Sequence, residues 1–127
     1  MNDDLTAFRA AAFDQANDAL IAIDTDGTIV AWNLFAEKLF GWPAEEVVGQ
    51  DVKVMIPERL RAGHDRGFFA AMESGHLASD GRARRTKSLT KSGEPVYVTM
   101  TFAVISDAQG SATGAVAVAR EWVREEG

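Results

Sequence analysis

The sequence predicts an α+β domain, an antiparallel sheet covered on one face by short helices. Three observations predict it. Near the start, Ala19-Leu20-Ile21-Ala22-Ile23 and Thr28-Ile29-Val30-Ala31-Trp32 flank the turn Asp24-Thr25-Asp26-Gly27, which reads as a β-hairpin. The middle of the chain, from Asn33 to about Glu73, carries apolar residues at helical spacing. Toward the end, Pro95 to Ile105 alternates cleanly: Val96, Val98, Met100, Phe102 and Val104 face one way, and Tyr97, Thr99 and Thr101 the other. Hairpins at both ends with helices between them leave an antiparallel sheet as the economical solution.

Each element has a local reason. Asp3 to Asn17 reads as a helix that Asp3 or Asp4 can cap, with Leu5, Phe8, Ala12 and Phe13 near helical spacing. After the first hairpin, Asn33 is an N-cap for a short helix that buries Leu34, Phe35, Leu39 and Phe40 and ends at Gly41. Pro43 starts a further turn, with Glu45 and Glu46 where the helix dipole favours acids, and Gly49 closes it. Val52, Val54 and Met55 form a short apolar piece before Pro57. The longest central helix runs from Glu58 to about Glu73, with Leu60, His64, Phe68 and Ala71 or Met72 along one side. Arg82 to Lys91 alternates loosely into the turn Lys91-Ser92-Gly93-Glu94. Asp107-Ala108-Gln109-Gly110 turns the chain into a last strand, Thr113 to Val123.

The chain of 127 residues fits one domain and one core. It has no cysteine, which removes disulfides, thiolate metal sites and cysteine nucleophiles together. Nineteen acidic against thirteen basic residues give a net charge of -6, a field that opposes nucleic acid and anionic membrane as partners. No apolar run is long enough to span a bilayer, and the acidic start lacks the order of a secretion signal, so the expected location is cytoplasmic. The basic cluster Arg82, Arg84, Arg85 and Lys87 splits across both faces of a strand and reads as a solvated edge. There is no Gly-x-Ser-x-Gly elbow, phosphate loop or two-histidine metal spacing, so the expectation is a protein that is not an enzyme.

Four stretches together resemble the PAS domain family over nearly the whole chain. They are Ile23-Asp24-Thr25-Asp26-Gly27-Thr28-Ile29-Val30-Ala31-Trp32-Asn33, then Leu39-Phe40-Gly41-Trp42 with Glu45-Glu46-Val47-Val48-Gly49, then Lys91-Ser92-Gly93-Glu94, and Asp107-Ala108-Gln109-Gly110, the last two each with its strand. The resemblance implies a five-stranded antiparallel sheet, a ligand-sized cavity, dimerisation, and signalling through the termini. It divides the chain into an N-terminal flanking helix (1–18), the domain proper (19–123) and a C-terminal tail (124–127). It also implies a homodimer and an output domain such as a kinase, a cyclase or a chemoreceptor.

A finer resemblance concerns the central helix. Met55-Ile56-Pro57-Glu58 followed by Arg61-Ala62-Gly63-His64-Asp65 is similar to the haem-binding PAS domains of bacterial oxygen sensors. That likeness implies His64 as the ligand of haem b iron. Gly81-Arg82-Ala83-Arg84 matches the family's Gly-x-x-Arg, which places Arg84 as the polar residue for bound oxygen or a haem propionate. Met100 and Phe102 would line the distal side, with Phe68 and Trp32 as further cofactor contacts. The chemistry is coherent, because one imidazole can hold an axial position of haem iron while polarity opposite decides gas binding. Three departures from those relatives stand in the sequence. Ala78-Ser79 replaces an apolar pair, Phe102 is bulky where they are smaller, and Glu121-Trp122-Val123 stands where PAS domains usually carry Asp-Ile-Thr. The alternatives are a histidine that only packs, in a cofactor-free dimerisation or protein-interaction module, or a small organic ligand. Flavin is a further option, without the cysteine adduct of flavin-binding relatives.

Overall fold

The computed structural model describes residues 2–77 and 81–123, so the expected tail 124–127 and the Ala78-Ser79 pair lie outside the described residues. Five segments pair as one antiparallel sheet: β1 (Ala19–Asp24), β2 (Ile29–Trp32), β3 (Arg84–Leu89), β4 (Pro95–Ser106) and β5 (Ala112–Glu121). Their spatial order is β2-β1-β5-β4-β3. The first hairpin and the last three strands are separated by the helices, and β1 joins them by pairing with β5 along its length, from Ala19↔Ala119 to Asp24↔Gly114. Period-two burial follows from this placement. Ile21 and Ile23 of β1, Val98 and Met100 of β4, and Ala115 and Ala119 of β5 turn inward to the core.

The helices are α1 (Asn2–Gln15), α2 (Leu34–Phe40), α3 (Ala44–Val47) and α4 (Glu58–Ser74), with a 3-10 turn at Val52–Met55. Asn33 caps α2 as its residue type predicts: its side chain accepts from the Ala36 N–H, and Gly41 closes the helix at φ +80°. Asp3 and Asp4 do not cap α1. The helix already runs through them, and they sit in its first turn, where the dipole favours acids. Strand β3 is shorter than the alternation suggested, because Gly81 turns the chain and ladder pairing starts only at Arg84, opposite Met100.

Candidate functional site

Behind the sheet lies a cavity of about 170 Å³. Its floor is the inner sheet face: Ile21 and Ile23 from β1, Ala115 and Ala117 from β5, Met100 and Phe102 from β4. The two alanines matter, since small side chains between larger neighbours leave the sheet and helices unable to close on each other. The roof comes from Val52, Met55 and Ile56 around the 3-10 turn and from Leu60 and His64 of α4. Thr86, Lys87 and Ser88 of edge strand β3 form the remaining wall. Nearly all of this surface is apolar, so each polar atom in it stands out.

Helix α4 aims His64 through its four-residue spacing. Leu60, His64 and Phe68 fall on one side of it. Phe68 is buried and lies parallel to the imidazole, with ring centroids 6.0 Å apart at 6°. The Nδ1 atom of His64 is buried and has no hydrogen-bond partner among the described residues. Asp65 Oδ1 stands 3.7 Å from it, beyond hydrogen-bond reach, and Asp65 Oδ2 is 3.5 Å from the Lys53 ammonium. An orphaned nitrogen in an apolar wall is costly unless something fills the site.

The structure brings His64, Met100 and Phe102 to one cavity. It places Phe68 against the His64 ring, as core packing rather than lining. Arg84 pairs across the ladder with Met100, so it shares the inner sheet face, yet its side chain is exposed and outside the cavity lining. Trp32 is buried elsewhere in the core, 5.5 Å from Phe40, with its indole N–H donating to the Trp42 carbonyl at 2.9 Å. His76 is exposed beyond the end of α4. On the outer sheet face the Arg85 guanidinium stacks between Tyr97 and Trp122, 4.5 and 4.3 Å from their ring centroids. Sequence reading did not single out Thr86, Ser88, Ala115 and Ala117 as site residues. Only their strand positions, facing inward opposite the α4 stripe, carried the signal.

The donor set suits a haem iron: one imidazole on a helix, apolar walls, and an unpaired nitrogen at the site. The space does not yet hold a macrocycle, since ligand pockets run to roughly 300–1,000 Å³. Phe68 and Ala71 are the buried side chains of α4, and Met72 packs against the core beside them.

A family model described as PAS fold matches residues 7–121. The chain is 46% identical over 48 residues to the sensor protein FixL of Bradyrhizobium diazoefficiens, covering 38% of this chain and 10% of that protein. It is 26% identical over 95 residues to the oxygen sensor protein DosP of Escherichia coli, covering 75% of this chain and 12% of that protein. The chain thus spans about a tenth of the length of these curated relatives. The crystal structure of a PAS domain from Colwellia psychrerythraea superposes with a TM-score of 0.79 at 24% identity, over 94% of this chain and 98% of that one. That likeness shows the fold.

Proposed function

The chain belongs to the PAS family of sensory modules, and on that premise we propose that it senses a gas, oxygen first, through haem b held in the cavity beneath α4. One observation carries the reading. The His64 imidazole lies in the wall of an apolar cavity with its Nδ1 buried and unpartnered. Two partial matches support it, one to a sensor protein and one to a protein named an oxygen sensor.

The residues take these roles. His64 would hold the iron through an imidazole nitrogen, and the parallel Phe68 ring fixes the imidazole plane. Met100 and Phe102 fill the sheet side of the cavity and exclude water there. Arg84, exposed at the end of β3 on the same face as Met100, would pair with a haem propionate at the rim. Haem held there would supply the reversible binding of a diatomic gas. The domain is not catalytic. It works as a homodimer and hands its signal to an output kinase, cyclase or other signalling domain through its termini.

A second reading is favoured by the cavity's size. An apolar void near 170 Å³ can stay empty, and the chain would then be a cofactor-free pairing module. The visible spectrum separates the two. Protein purified from cells supplied with a haem precursor is expected to show a Soret band that shifts on reduction and again with carbon monoxide. His64→Ala is expected to lose the band while keeping its circular dichroism. A colourless protein that also fails to take up added haemin overturns the haem reading.

A further inference from the structure

The outer face of the sheet carries one construction that the cavity reading leaves unused. Arg85 belongs to β3 and Tyr97 to β4, and Trp122 is the first residue past β5. The Arg85 guanidinium lies 4.5 Å from the Tyr97 ring centroid and 4.3 Å from that of Trp122. The Trp122 backbone N–H donates to the Tyr97 carbonyl at 2.9 Å, one step beyond the terminal ladder pair Val98↔Glu121. One side chain of β3 thus reaches across β4 to the point where the chain leaves the sheet. β3 is an edge strand, and among the strands only β4 holds it. Thr86, the residue after Arg85, belongs to the cavity wall. Alternation puts the two on opposite faces of one strand, so a push on the wall from inside moves Arg85 outside. A cation stacked on exposed rings is held more weakly than a strand in its ladder, and it is the contact that gives first.

We propose that Arg85 is the link through which the state of the cavity reaches the chain exit: stacked, it holds Trp122 against the sheet, and a displaced β3 wall lets Trp122 go. The assignment rests on the reading that the cavity is the sensing site, not on what fills it. Trp122 and the backbone after β5 form the two-state element, docked with the stack made and released with it broken. Any occupant that presses on Thr86 biases that equilibrium.

The test uses the full chain labelled with fluorotryptophan, with Trp122→Phe to identify the Trp122 signal among the three tryptophans. The cavity is filled from its floor by Ala117→Val, Ala117→Leu and Ala117→Phe, the smallest step guarding against loss of the fold. Fluorine NMR should show the Trp122 signal shifting progressively along this series, toward the position that it takes in Arg85→Ala. In an Arg85→Ala background the same series should leave the signal where it is. Amide exchange at Trp122 should speed up in Arg85→Ala by roughly two- to fivefold, the size of an exposed cation–π contact. A Trp122 signal that ignores the Ala117 series, or that follows it equally without Arg85, overturns the assignment, and so does an unchanged exchange rate. No haem enters the measurement, so its failure and the failure of the haem reading are separate results.

Discussion

Asn33 shows how one buried amide organises the chain around it. Its Oδ1 accepts from the N–H groups of Leu20 and Ala36, at 2.9 and 3.0 Å. Its Nδ2 donates to the carbonyls of Phe13 and Asp18, both at 2.9 Å. The residue is fully buried, while its partners Phe13, Asp18 and Leu20 are half-buried. One side chain thereby fixes the end of α1, the start of β1 and the cap of α2. Asn33→Ala leaves two donors and two acceptors without partners and removes a cap. The expected loss is about 2–4 kcal/mol of unfolding free energy, read as a lower urea midpoint. A change under about 1 kcal/mol would mean that water replaces the amide at little cost. Half of this was legible in the sequence. An asparagine before an apolar helix signals a cap, because the partner is local. The bonds back to Phe13 and Asp18 were not, because they exist only once α1 has folded against β1. Asp18 is tied from a second side too, since Arg120 donates two 3.0 Å bonds to its carboxylate. That hydrogen-bonded anion raises the Arg120 pKa above its ordinary value.

At the scale of the element, two glycines separate space from strain. Gly67 lies within α4, and a Cβ built there meets nothing within 4 Å. Gly67→Ala should therefore stabilise the domain by about 0.5–1 kcal/mol through helix propensity alone. Gly114 lies in β5 opposite Asp24, and a Cβ there would run into the Ile23 carbonyl oxygen. Gly114→Ala must part β1 from β5 and is expected to cost about 1–3 kcal/mol. Paired urea melts check both signs, and a destabilised Gly67→Ala would show that α4 needs its flexibility to seat on the sheet. The sequence pattern cannot separate these glycines, because backbone approach between strands distant in sequence leaves no periodic mark. Turn residues are the opposite case. Asp24 Oδ1 accepts from the N–H groups of Asp26 and Thr28, and Asp107 Oδ1 does the same for Gln109 and Ser111. Both Asp-x-x-Gly turns are readable because their bonds close within four residues.

For the whole molecule, the legible part is the fold and the illegible part is the void. Hairpin turns, the α4 stripe and the β4 alternation are local signals, and together they specify the sheet and the helical layer. The cavity is what remains when Ala115 and Ala117 face His64 and Leu60 across the core, a coincidence of two segments distant in sequence. Pairing between copies is a question on the same scale. Helix α1 leaves Phe8 71% and Leu5 54% exposed, while its far end is anchored through Asn33. A helix held at one end with its apolar side chains in water gains by covering them, and a second copy of the chain offers the same surface. A stable pair needs about 800 Å² from each partner, more than two side chains supply, so neighbouring surface must join them. The outer sheet face is the nearest apolar source in kind, since Val116 and Val118 of β5 are only half-buried there. The expected outcome is a dimer by light scattering at high micromolar concentration, and a monomer with unchanged circular dichroism for Phe8→Glu. A monomeric wild-type chain at that concentration would overturn pairing through α1. A Phe8→Glu dimer would move the contact away from this helix.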